Sequence, residues 1–259
     1  ILGKTYGIDM PKVVAVHLKG KPKHGVGPQD VAIALIKAVF ANGFVKNTVL
    51  EFVGEGVSNI SMDYRIGIDV MTTETTCLSS VWETDYKTKS YLVKHGRGDS
   101  YVEMKVTSPA YYNGIVEVDL SKVEPMIALP FHPSNGYTIK EFLENAEDIL
   151  YGVEQNATEV FGGKTCNFSL RDKLIGGKFC VDQGVIAGCA GGGFENICAA
   201  ADILKGHYIG ADEFTLNVYP ASTPIYMELM KNGCAATLLE TGAILKTAFC
   251  GPCFGAGDT

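Results

Sequence analysis

A Cys-x-x-Cys pair, Cys250-Gly251-Pro252-Cys253, stands near the end of a 259-residue chain, with six residues after it. Such a pair serves as a redox dithiol or as half of a metal site. The Gly-Pro interior points first to thioredoxin-like chemistry, but that motif opens a helix with most of a βαβ fold still to come. Six residues cannot supply that fold, so the pair is expected to work with something upstream. The upstream candidate is Val185-Ile186-Ala187-Gly188-Cys189-Ala190-Gly191-Gly192-Gly193. A short apolar run ends there at a thiol, a glycine-rich loop follows, and an amphipathic stretch continues to Leu204. This reads as a strand–loop–helix junction, the place where open α/β sheets hold ligands. The glycines allow backbone N–H groups to turn inward in a nest that suits an anionic group.

Cys189, Cys250 and Cys253 together offer three thiolates. A closed zinc site usually takes four ligands, whereas three thiolates on a cubane cluster would leave one iron open. Spacing alone also permits ordinary buried thiols, because free cysteine is among the most buried residue types.

The blocks Gly188-Cys189, Pro220-Ala221-Ser222-Thr223-Pro224-Ile225-Tyr226, Glu240-Thr241-Gly242-Ala243 and Cys250-Gly251-Pro252-Cys253-Phe254-Gly255 resemble, in order and spacing, the aconitase / 3-isopropylmalate dehydratase family. The resemblance runs back through Pro11 to Gly20, Pro28-Gln29-Asp30-Val31, Glu51 to Val57, Ser58 to Ser61, Glu74 and Ser79-Ser80-Val81. It therefore covers nearly the whole chain. It implies that Cys189, Cys250 and Cys253 ligate an oxygen-labile 4Fe–4S cluster, and that Glu74 is the catalytic carboxylate touching solvent on the open iron. The implied reaction is dehydration and rehydration of a small hydroxy di- or tricarboxylic acid, with the open iron as Lewis acid. Read without the resemblance, Glu74 is a solvated helix-end glutamate among Thr72, Thr73, Thr75 and Thr76, which are consistent with a polar pocket wall.

Two departures from the family pattern stand out. Val70 replaces the usual Asn four residues before Glu74, and Ala190-Gly191 replaces the usual Thr-Asn after the first cysteine. They keep open a catalytically silent iron- or redox-sensing relative, and the bare Cys-x-x-Cys keeps open a structural Cys–metal module. Relatives complete their site from first-domain His, Asp and Ser groups, from arginines after the Cys-x-x-Cys and from a serine on a mobile last domain. The chain is accordingly expected to be the central piece of a longer protein, inactive alone and partnered by the missing first and last domains. The opening Ile1-Leu2-Gly3-Lys4, without Met or a leader pattern, agrees with a fragment.

Strand-like and helix-like stretches alternate: residues 12–19, a helix opened by Pro28 with Val31, Ile33, Ala34, Leu35 and Ala38 on its inner face, 48–53, a helix from Ile60 to Thr73, Leu78 to Trp82, a charged helix from Asp85 to Lys94, and Ile115 to Leu120. Pro125, Pro130 and Pro133 punctuate a connection, and a helix from Ile139 to Gly152 opens the second half. Alternation of this kind predicts an α/β fold with largely parallel sheets. Two similar three-layer α/β/α domains are expected, 1–130 and 131–259, the second carrying the cysteines.

The 46% hydrophobic content fills cores in a chain of this length, and the net charge of −7 without a basic run argues against nucleic acid as a partner. No apolar run approaches the ~20 residues that span a bilayer, so no membrane is expected. Eight cysteines fit a reducing compartment, with the cytoplasm as the default. Cys77, Cys166, Cys180, Cys198 and Cys234 carry no motif; Cys198 reads as core, or as a fourth ligand if one exists. Asp63 and Asp69 are expected to face solvent on one helix, and Arg97-Gly98-Asp99 reads as a polar loop.

Overall fold

Val14, Ala15 and Val16 are consecutive residues of a strand, Val13–Lys19 (β1), and all three are buried. Neighbouring strand residues point to opposite faces, so both faces of β1 are covered. The computed structural model describes residues 5, 7–164, 168–210 and 212–256, so Ile1-Leu2-Gly3-Lys4 and Cys166 lie outside the described residues.

Parallel neighbours need crossover connections, and the chain supplies them. From β1 it crosses by helix α1 (Pro28–Val39) to β2 (Val49–Val53), and by α2 (Glu55–Ser58) and α3 (Met62–Asp69) to β3 (Ser79–Trp82). Helix α4 (Tyr86–Lys94) then leads to β4 (Gly114–Asp119). The four strands form a wholly parallel sheet in the order β3-β2-β1-β4.

Pro28 opens α1, where its missing N–H costs nothing. Val31, Leu35 and Val39 bury one stripe of it, while Ala38, expected on that face, is exposed at its flank. The single helix expected over Ile60 to Thr73 is instead α3 followed by a 3-10 turn, Thr72–Thr75. Ser61 caps α3 by accepting the Tyr64 N–H, and Asp85 caps α4 by accepting from Lys87 and Thr88. Phe52, fully buried, stacks on Trp82 with ring centroids 4.0 Å apart, in a core shared with Val16, Leu18, Leu50 and Ile68.

A two-stranded antiparallel hairpin crosses residue 130: β5 (Met126–Ala128) and β6 (Gly136–Thr138). The Met126 N–H donates to Asp30 Oδ1 at 2.6 Å, tying the hairpin to the start of α1. The helix expected over Ile139 to Gly152 is broken at Asn145 into α5 (Ile139–Glu144) and α6 (Ala146–Val160). Asn145, at φ −131, turns its side-chain amide back onto the Glu141 carbonyl. Leu129, Phe142, Leu150 and Val153 form a separate small core. A short hairpin of β7 (Leu174–Ile175) and β8 (Lys178–Phe179) follows.

The last part repeats the parallel alternation. Strand β9 (Gln183–Ile186) leads through α7 (Gly188–Gly191) and α8 (Phe194–Leu204) to β10 (Thr215–Val218). Helices α9 (Thr223–Lys231) and α10 (Cys234–Glu240) then lead to β11 (Ile244–Leu245). The sheet order is β11-β10-β9, all parallel, with Val218 opposite Ile186 and Leu245. Its core holds Ile197, Ala201, Leu229 and Leu238. The α/β class with mainly parallel sheets read from the sequence is thus the one observed. Among the described residues no helix is long and apolar enough to cross a membrane.

Candidate metal centre

The two cysteine segments leave the same sheet. β9 and β11 run parallel on either side of β10, so both chain exits lie at the carboxyl end of the sheet. After β9 the chain enters Gly188 at φ +74, a conformation that glycine adopts without steric cost. Cys189 is the second residue of the single helical turn α7. After β11 it reaches Cys250 and the 3-10 turn Gly251–Phe254, which contains Cys253. A β-carbon on Gly188 would stand 2.7 Å from the Cys253 sulfur. Only glycine lets that sulfur approach the α7 turn so closely.

Burial pushes the Cys253 thiol above its ordinary range, and the charges of Cys250 and then Cys189 push it further. The turn carrying Cys189 packs directly against the turn carrying Cys253. All three cysteines are exposed, which is not the setting of a core thiol. Among the described residues no group of three or more His, Cys, Asp or Glu stands as a single-ion site. One zinc ion draws thiolates to about 2.3 Å from a single point. A cubane takes its thiolates on separate irons and accepts a wider triangle. The donor set, three exposed thiols over a glycine turn, fits the cluster better than the lone ion.

The first α/β unit holds the Cys189 turn in place. Gln29 of α1 donates its side-chain amide to the Ala190 carbonyl at 2.5 Å, and Asn196 donates to the same oxygen at 2.9 Å. Asp63 and Asp69 do not simply face solvent. Asp63 Oδ2 accepts the Glu195 N–H at 3.0 Å, capping the first turn of α8, whose own N-cap residue, Gly193, has no side chain. Ser61 returns the contact by donating to Glu195 Oε2 at 2.5 Å. Asp69 Oδ1 accepts from Ser80 Oγ and Trp82 Nε1, which fixes α3 to β3. Behind α7, a β-carbon on Gly192 would lie 2.4 Å from the Tyr219 carbonyl oxygen, so the turn is packed backbone against backbone. A small cavity opens beside Cys189, lined in part by Pro28, Asp63, Tyr64, Tyr91 and Glu195.

Glu74 sits in the 3-10 turn after α3, half exposed, with Oε2 3.7 Å from His132 Nε2. His132 stacks on Phe40 at 3.8 Å. The Ser134 N–H donates to His132 Nδ1, so Nδ1 is the acceptor and Nε2 carries the proton that faces Glu74. Among the described residues no hydrogen bond or ion pair links Glu74 to the three cysteines. Thr72 and Thr75 are both buried and donate to backbone carbonyls, those of Asp69 and Thr72. Val70 ends α3, its N–H bonded to the Ile66 carbonyl.

Sequence reading missed Gln29, Asn196 and the capping role of Asp63. Gln29 is 161 residues from its acceptor and Asp63 is 132 from its donor, separations at which no periodicity or spacing signal operates.

All of residues 1–259 match the family model described as Aconitase family (aconitate hydratase). The chain is 30% identical over 246 residues to the 3-isopropylmalate dehydratase large subunit of Clostridium kluyveri, covering 95% of this chain and 50% of that protein. It is 28% identical over 255 residues to the protein of the same description from Lachnoclostridium phytofermentans, covering 98% and 52%. It is 29% identical over 253 residues to the 2,3-dimethylmalate dehydratase large subunit of Eubacterium barkeri, covering 98% and 51%. The chain thus spans about half the length of the curated relatives it matches.

Proposed function

This chain belongs to the aconitase family, and from that membership we propose that it is the cluster-binding core of a hydro-lyase acting on a small hydroxy di- or tricarboxylic acid. The relatives named above are dehydratases of substituted malates, which favours a malate-type acid. They are named as large subunits of about twice this length, so the remaining site residues come from a further region or a second polypeptide.

Cys189, Cys250 and Cys253 are the residues we assign to a 4Fe–4S cluster. The observation that carries the assignment is the meeting of the Gly188 turn, which holds Cys189, with the Cys253 sulfur in the turn that follows Cys250. When bound, such a cluster supplies a Lewis-acidic iron that polarises a substrate hydroxyl. The protein's own part is to present three thiolates on a braced turn, with Gln29 and Asn196 fixing the carbonyl next to Cys189. Glu74 is assigned the proton-handling carboxylate, with His132 Nε2 standing 3.7 Å from its Oε2. Val70 offers no hydrogen bond where an amide is usual, so Glu74 carries more of that work. A catalytically silent sensor is disfavoured by relatives that are named dehydratases. A one-ion structural module is disfavoured by the want of a single-ion site among the described residues.

Anaerobic reconstitution with iron and sulfide tests the assignment. About four of each per chain, lost in Cys189→Ala and in Cys250→Ala, is the expected result. No uptake, or uptake indifferent to both substitutions, would overturn it.

A further inference from the structure

Two cysteines outside the candidate centre also meet. Cys198 lies on α8 and Cys234 opens α10, and their sulfurs are 3.4 Å apart. Asn232 donates its amide to the Cys198 sulfur, also at 3.4 Å. Both cysteines are half-buried at the edge of the core that joins α8 to α10, open enough for a small oxidant. The sequence reads Cys198 as core, or as a fourth ligand if one exists; it packs against the core of the second unit, with Cys234 as its neighbour.

We propose that Cys198 and Cys234 form a peroxide-responsive pair that closes reversibly to a disulfide strapping α8 to α10. A disulfide holds its sulfurs about 2.05 Å apart, so closure asks for an approach of roughly 1.3 Å. Burial, and then the neighbouring Cys234 thiol, pushes Cys198 up to about 11, so it is a protonated thiol at neutral pH. In the proposed order Cys234 takes the first step. Its sulfur attacks one oxygen of hydrogen peroxide, the O–O bond breaks, and the departing hydroxide leaves as water with the thiol proton. The resulting Cys234 sulfenic acid is attacked by the Cys198 sulfur; the S–O bond breaks, the S–S bond forms, and the Cys198 proton leaves in a second water. Two electrons pass from the two thiols to one peroxide, and a small-molecule thiol reverses the change by exchange. The strap would join the helix that follows the Cys189 turn to the helix that precedes the Cys250 arm.

Treatment of the native chain with equimolar hydrogen peroxide, alkylation and peptide mapping decides the matter. Cleavage after Glu195, Lys205, Lys231 and Glu240 puts Cys198 and Cys234 each on a peptide with no other cysteine. A cross-link between those two peptides, removed by a small thiol and absent after unfolding in urea, is the expected result. Cys198→Ser should abolish the link and leave a Cys234 sulfenic acid that a dimedone reagent traps. Both peptides recovered unlinked while Cys189, Cys250 or Cys253 oxidise, or linkage as frequent in the unfolded chain, would overturn the proposal. The mapping of the unsubstituted chain stands even if the variant does not fold. Neither residue is among the proposed cluster ligands, so this result is independent of iron uptake.

Discussion

Gly188 and Cys253 are in contact with no room for a side chain between them: a β-carbon on Gly188 would lie 2.7 Å from the cysteine sulfur. The two residues are 65 positions apart and bring together the turn that carries Cys189 and the turn that carries Cys250. Gly188→Ala should therefore do two separable things. Holding alanine at φ +74 costs about 1–2 kcal/mol, and displacing the sulfur should cut iron and sulfide uptake by more than half. Gly176→Ala is the control, since Gly176 has φ +59 but open space around a β-carbon. It should share the conformational cost and load normally. Equal loading by both variants would show that the Gly188–Cys253 contact does not matter to the centre.

The clamp from the first α/β unit should be measurable as stability. Gln29→Ala removes one of two donors to the Ala190 carbonyl and should lower the unfolding free energy by about 1 kcal/mol. Asp63→Ala uncaps α8 from across the interface and should cost about 0.5–2 kcal/mol. Both are read by urea denaturation. Losses below about 0.3 kcal/mol in each would mean that the interface does not brace the Cys189 turn.

Glu74→Gln keeps the shape and removes the charge. The side chain is nearly half exposed, so thermal stability should stay within about 0.5 kcal/mol of the parent. In the full-length protein kcat should fall by about 10²-fold or more. His132→Gln should produce a smaller loss, because it changes only a neighbour 3.7 Å from the carboxylate. An unaltered kcat in Glu74→Gln would remove this residue from the chemistry.

Acid should loosen the first unit through Asp85. Burial raises this carboxyl, but the hydrogen bond from Arg65 and the backbone N–H groups of Thr88 and Lys87 outweigh it and hold it below the usual carboxylate range. A carboxylate depressed in the folded state adds stability that is present above its unfolded value, about 3.9, and is lost as pH falls through the folded value. Arg65 is 3% exposed and its Nη2 lies 2.5 Å from Asp85 Oδ2, so the pair is shielded from water. Asp85→Asn should cost about 1.5–3 kcal/mol near neutral pH and flatten the pH dependence below about 4. An equally steep acid transition in the variant would show that other carboxylates set it.

The frame of the fold was readable because its signals are local. Pro28 opening α1 and Ser61 and Asp85 at helix starts act within one turn of where they stand. The boundaries that shifted were also local in origin: Asn145 folds its side chain onto the preceding turn and breaks one helical pattern in two. Ala38 was assigned to the inner face by its helical spacing from Val31 and Leu35, whereas the buried set, Val31, Ala32, Leu35, Ile36 and Val39, centres the covered face away from it.

By itself the sequence determined the parallel α/β alternation, through apolar strands separated by helical stretches, and set three cysteines in loops beside glycine. It could not say which residues of the first unit would reach the second. Asp63 caps α8, Gln29 grips the Ala190 carbonyl, and Cys198 meets Cys234 because packing brings together segments 132, 161 and 36 residues apart. Side-chain direction at such separations is set by how helices and sheets dock. That docking is a property of the folded core, and no spacing along the chain encodes it.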